Sequence, residues 1–259
     1  MIDGIEVAVF PDGCRAAVSL TYDDAVDTHL DHAMPDLEQA GLRGTFYIPT
    51  GSSACWSNRV EEWRAAAERG HELGNHTRLH PCSIEYEFIR RLGANRSLEA
   101  YSLGRMESEL LSSEDELASV AGNVFHSFAY PCGEQFVGPD RVSYRPIVER
   151  LFPAARGTSE RVASDPWTVD LHSSPGWSLS ERDELASVRS FVDEAIDAGR
   201  WTILVFHGVG GGHSINVGRD FHRSLVAFLA SKRNVAWCAP FATVARRLRE
   251  VRRQPWCPR

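Results

Sequence analysis

No stretch of ~18 consecutive apolar residues occurs in the 259-residue chain, so no membrane-spanning helix is expected. The opening residues, MIDGIEVAVFPDGC, carry neither a basic leader nor an apolar core long enough for export, and the cytoplasm is the expected location. Linkers, low-complexity tracts and internal repeats are also missing, which leaves a single domain over residues 1–259. Positive charge is in deficit: a formal net charge of −7 argues against a nucleic-acid groove. The six cysteines (Cys14, Cys55, Cys82, Cys132, Cys238, Cys257) include no Cys-x-x-Cys pair. In a chain this large they read as reduced, mostly buried thiols rather than a disulfide frame.

What is present is a regular alternation of apolar, β-branched runs with amphipathic stretches. Strands are expected over 17–22, 45–48, 72–74, 125–130, 154–157, 202–206 and 235–238. Helices are expected over 29–40, 59–69, 103–120, 144–151, 184–198, 221–230 and 241–251. Repeated β-then-α order implies an α/β chain with a parallel sheet and outer helices, and the number of units suggests a (β/α) barrel. Residues 81–103 break the pattern: they are polar and poorly periodic, a candidate substrate wall or lid.

The chemistry concentrates in His76-Thr77-Arg78-Leu79-His80 and Asp23-Asp24, each placed where a strand runs into its following loop. Two imidazoles four residues apart can close on one ion, and the acidic pair adds a third ligand and a spare carboxylate. A mononuclear hydrolase needs that set, an ion with an open position and a base beside it. No glutamate follows His76, which excludes the His-Glu-x-x-His peptidase arrangement.

Taken in order, Thr21-Tyr22-Asp23-Asp24-Ala25, His76 to His80, Phe128-Ala129-Tyr130-Pro131-Cys132-Gly133 and Leu204-Val205-Phe206-His207 resemble the polysaccharide deacetylases of carbohydrate esterase family 4. The resemblance implies a distorted (β/α) barrel of about seven parallel strands. It also implies one divalent metal ion, zinc first, with cobalt or another transition metal as alternatives. Carried over by position, Asp24, His76 and His80 hold the metal, Asp23 is the general base and His207 the general acid. The backbone N–H of Cys132 faces the oxyanion, with Pro131 and Tyr130 shaping that turn. Asp170 is the candidate acid orienting His207, with Asp165 its rival. The chain departs from the family at Ala129, where many members carry an arginine bracing the base, and at Cys132, where many carry tyrosine.

Each residue has a plainer role when taken alone: Asp23-Asp24 as a helix cap, His207 as a buried histidine ending a strand. Their joint order favours catalysis. Elsewhere, His29, His32 and His222 read as solvated helix residues, and the glycine-rich 208–213 stretch as a flexible site loop. Trp56 and Trp177 are candidate sugar platforms, and Arg246 to Arg253 reads as a solvated helix face. The expected activity is metal-dependent removal of N-acetyl groups from a soluble acetylated oligosaccharide or glycoconjugate, with no nucleic-acid or membrane partner. Oligomeric state is left open. The alternatives are an O-acetyl esterase, or a sugar-binding relative impaired in catalysis.

Overall fold

The computed structural model describes residues 8–122 and 126–254. The apolar runs form strands: β1 (Ala16–Asp23), β2 (Thr45–Ile48), β3 (Glu72–Asn75), β4 (Phe128–Ala129), a short hairpin of β5 (Phe136–Val137) and β6 (Val142–Ser143), then β7 (Ala155–Ser159), β8 (Ser174–Ser178) and β9 (Trp201–Phe206). A further short pair, β10 (Gly208–Val209) and β11 (Asn216–Val217), and the last strand, β12 (Ala236–Cys238), complete the set. Phe125, where a strand was expected to begin, lies outside the described residues.

Seven strands, β1-β2-β3-β4-β7-β8-β9, pair in parallel and close on themselves through β1–β9. The expected distorted barrel is the observed one. β1 serves three neighbours: β9 along Ala17–Tyr22, β2 at its upper end from Thr21 to Asp23, and β12 at its lower end from Ala16 to Val18. Covered by helices outside and side chains inside, β1 and β9 are buried at every position, as continuous apolar strands of a parallel sheet should be. Gly74 in β3 is needed for this packing, because a Cβ there would meet the Tyr47 ring at 2.5 Å.

The outer layer holds α1 (Met34–Gln39), α2 (Ala54–Asn58), α3 (Val60–Glu68), α4 (Glu87–Leu92), α5 (Leu103–Ala121), α6 (Arg145–Leu151), α7 (Leu185–Asp197), α8 (Arg219–Ser231) and α9 (Phe241–Arg252). A π-helical turn, His29–Ala33, leads into α1. Two histidines expected on helix surfaces are buried instead. His29 turns inward to the backbone carbonyl of His207, and His222 joins Tyr22 Oη at 2.8 Å to Asp36 at 3.2 Å. The periodicity located these helices, but a polar residue on the inner face is legible only once its partners are known.

Two further expectations are corrected. Arg247, Arg249 and Arg252 of α9 donate to backbone carbonyls of Ala8, Val9, Pro153, Pro166 and Val169, tying the barrel floor rather than facing water. Cys82 and Cys132, fifty residues apart, form a disulfide, while Cys14, Cys55 and Cys238 are free; Cys257 lies outside the described residues. The loops after β3 and β4 lie side by side because those strands pair, a proximity that sequence spacing does not reveal. The reduced-thiol argument for a cytoplasmic location therefore falls. No described helix is long and apolar enough to cross a membrane.

Candidate metal centre and catalytic site

Side chains alternate faces along a strand, so Asp23 and Asp24 share one site only if the strand ends between them. It does. β1 stops at Asp23, and Asp24 and Ala25 take φ of +79° and +47°, strained for residues other than glycine. This kink turns both carboxylates toward the mouth of the barrel.

After β3 the chain makes a second strained turn, with Thr77 at φ +61° and His80 at φ +53°. Side chains stabilise it: Asn75 Oδ1 accepts from Thr77 N–H at 2.9 Å, Thr77 Oγ1 from His80 N–H at 3.0 Å, and Glu109 from Leu79 N–H at 2.9 Å. The turn brings His76 Nε2 to 3.8 Å and His80 Nε2 to 3.2 Å from Asp24 Oδ1. The His76 Nδ1–H donates to the Ala129 carbonyl at 2.8 Å, which leaves Nε2 as a lone pair facing the site, the usual support of a ligand histidine. Burial pushes the His76 imidazole down to about 4, so it is neutral near pH 7, as a ligand must be. One ligand atom from each of Asp24, His76 and His80 lies within 4.8 Å of the others. Two imidazole nitrogens and a carboxylate oxygen fit a divalent transition ion with an open position. His80, Cys82 and Cys132 also cluster, but both sulfurs there are held in the disulfide.

Asp23 stays free of that cluster. Arg156 of β7, itself buried, donates from Nη2 to Asp23 Oδ2 in a close ion pair, and His207 Nε2 stands 4.0 Å from the same oxygen. Asp23 Oδ1 is buried with no partner among the described residues, poised to accept a proton or hydrogen bond. Burial pushes the carboxyl up, but Arg156 first, then His76 and His207, outweigh it, so Asp23 lies below the ordinary carboxylate range. Burial also holds His207 below its usual value, against the upward pull of Asp23 and Asp24.

The glycine-rich loop is ordered. Gly210, Gly211 and Gly212 take φ of +69°, +117° and +85°, conformations only glycine adopts readily. Asn216 Oδ1 accepts from Gly211 N–H at 2.7 Å, and Thr28 Oγ1 donates to the Gly211 carbonyl at 3.2 Å. The loop thereby carries His213 back over the site, its Nε2 3.5 Å from Asp24 Oδ2 and its ring stacked on His207 at 4.9 Å. These groups lie in one cleft of about 730 Å³.

A polysaccharide deacetylase profile matches residues 11–142, half of the chain, including both turns just described. The chain belongs to the polysaccharide deacetylase family. Its fold is similar to that of a Mycobacterium smegmatis protein assigned as a polysaccharide deacetylase, at 18% identity over 96% of this chain and 95% of that one, with a TM-score of 0.65. It is similar also to a family 4 carbohydrate esterase from Streptomyces lividans (18% identity, 87% and 92% covered, TM-score 0.50). A family 4 pseudoenzyme is a further neighbour (15% identity, 88% and 67% covered, TM-score 0.53). No curated protein matches the chain in sequence.

Within this family the departure at Ala129 has a local explanation. Ala129 of β4 and Arg156 of β7 are direct register partners, so the guanidinium reaches Asp23 from the neighbouring strand. Sequence reasoning missed Arg156, whose only signal is an arginine inside an otherwise apolar strand run. Cys132 turns at φ +55° on the cleft wall beside Tyr130, with Pro131 buried beneath, and its sulfur is tied to Cys82. The expected orienting acids lie elsewhere: Asp170 pairs with Arg145 at 2.6 Å and Asp165 with Arg200 at 2.8 Å. His207 Nδ1 has no partner among the described residues. Trp56 and Trp177 are buried, at 5% and 8% exposure, Trp177 beneath Arg161, so neither offers a sugar platform.

Proposed function

We propose that this protein is a metal-dependent carbohydrate deacetylase that releases acetate from an N-acetylated sugar. The observation that carries this reading is the convergence of Asp24, His76 and His80 beside an uncommitted Asp23 held by Arg156. Asp24 Oδ1, His76 Nε2 and His80 Nε2 would hold the ion. When bound, it supplies Lewis acidity, polarising the acetyl carbonyl and making water nucleophilic near neutral pH. Asp23 takes the water proton as the new C–O bond forms, and Arg156 keeps that carboxylate ionised and oriented. The Cys132 N–H donates to the developing oxyanion. His207 gives a proton to the departing nitrogen as the C–N bond breaks, leaving acetate and a free amine. Asp23 Oδ2 and His207 Nε2 stand 4.0 Å apart and border the same cleft, so both can reach one bound acetyl group.

O-acetyl ester cleavage would use the same groups, since an alkoxide leaving group needs the same proton. Retention of Asp23, the ligand trio and His207 favours an enzyme over a sugar-binding relative that has lost turnover. The test is acetate release from a panel of N- and O-acetylated sugars, by chelator-treated protein and by protein restored with zinc or cobalt. Asp23→Asn is expected to keep the metal and lose about 100- to 10,000-fold in rate; full activity would refute the base. His76→Ala should lose both metal and turnover.

A further inference from the structure

Of the large apolar side chains that line the cleft, Tyr130 and Val205 are buried, but four others are exposed. Tyr86, at the N-terminus of α4, and Phe88 and Leu92 within it are 41%, 41% and 56% exposed, and Ile215, after the glycine loop, is 38% exposed. All four line the cleft that contains Asp24 and His207. The Phe88 ring centroid stands 6.3 Å from that of His80 and 5.7 Å from that of Tyr86, so the apolar surface begins at the metal ligands and runs outward.

Their exposure is not slack in a loose loop. Leu98 N–H donates to the Cys82 carbonyl at 2.9 Å, and Glu99 accepts from Ser83 Oγ at 2.7 Å and Ile84 N–H at 3.0 Å. Arg90 donates to the carbonyls of Ile84 and Glu85, Arg96 to that of Leu79, and Ile89 buries the opposite side of α4. The disulfide pins the root of the segment at Cys82. A wall held this firmly keeps its apolar groups in water at a standing cost, which a ligand group would relieve.

Among the described residues the cleft has no carboxamide and no carboxylate besides Asp23 and Asp24; its other polar side chains are the histidines, Arg96, Arg156, five serines and two tyrosines. Much of that polarity belongs to the catalytic cluster, whereas α4 and its N-cap present Tyr86, Phe88 and Leu92 to the cleft.

We propose that the Tyr86–Phe88–Leu92 wall binds an alkyl or aryl group joined to the acetylated sugar, making the substrate an amphipathic glycoconjugate rather than a plain polysaccharide. The proposal rests on the deacetylase reading above. The probes are methyl and octyl glycosides of whichever panel sugar releases acetate fastest, assayed with zinc-restored protein. The octyl glycoside is expected to show at least ~10-fold higher kcat/KM, since burial of even a few methylenes suffices for that ratio. The Phe88→Ser, Leu92→Ser double variant, changed only at exposed positions, should bring the ratio to within about threefold of one; an unchanged melting midpoint shows that it is folded. A wild-type ratio near one overturns the wall while leaving the deacetylase reading intact. A high ratio that survives in the double variant overturns the assignment to these residues. A panel that is inert throughout removes the deacetylase reading and this proposal with it.

Discussion

Arg156 and Asp23 form a buried ion pair at the centre of the site, and removing one member leaves the other charged and unsolvated. Arg156→Ala is therefore expected to destabilise the protein by about 3–5 kcal/mol, measured by denaturant unfolding. It should also raise the Asp23 pKa, because burial is then less opposed, and move the acid limb of the kcat/KM profile to higher pH. An unshifted limb would show that Arg156 does not set the state of the base. His213 is the second residue to test. Its Nδ1 is held between the Ile215 N–H at 3.0 Å and the Ile215 carbonyl at 3.2 Å, which fixes the ring with Nε2 3.5 Å from Asp24 Oδ2. That contact steadies the oxygen not turned to the ligand histidines. Loss of such support typically lowers metal affinity about 10- to 100-fold; His213→Ala should do so by calorimetric titration with zinc, and His213→Gln should recover part of the loss.

At the level of elements, the register between β4 and β7 makes Arg156 transposable. Placing arginine at 129 in an Arg156→Ala background is expected to restore turnover that the single variant lacks, because both positions sit side by side under Asp23. The seven strands expected from apolar runs are all present, because covered parallel strands need such runs whatever their sequence neighbours. β8 was not legible: Pro175 and Gly176 dilute the strand signal of Ser174–Ser178, and only pairing with β7 and β9 makes it a strand. The convergence of Asp24, His76 and His80 was legible from the joint order of their motifs. Their strained turns were not, since Asp24, Ala25, Thr77 and His80 take positive φ without a glycine to announce it. Arg156 and the disulfide escaped for one reason: each acts across a contact between segments far apart in sequence. The disulfide closes a loop of fifty residues, worth about 4 kcal/mol if chain entropy dominates. Reduction, or Cys82→Ser, should lower the melting midpoint by about 5–10 °C. An unmoved midpoint would show that the bond contributes nothing to the fold.

The whole molecule carries a pH dependence that follows from its buried histidines. Burial holds His29 and His76 at about 4, below the ordinary value of 6.5. The unfolded chain therefore binds protons that the folded chain refuses between those values. Stability is full above about 6.5 and is lost as pH falls toward about 4, by up to about 3 kcal/mol per histidine. Asp23 and Asp24, both held below the usual carboxylate range, add a further loss below about 4. The melting midpoint of metal-free protein, followed by circular dichroism, should drop steadily from pH 7 to 4.5; a flat profile would contradict the burial of these rings.

β1, the first strand of the barrel, pairs along most of its length with β9 and at its lower end with β12, the strands of its sheet made last. During synthesis the first stave of the barrel must wait, with one edge unsatisfied, until the residues of β9 have left the ribosome.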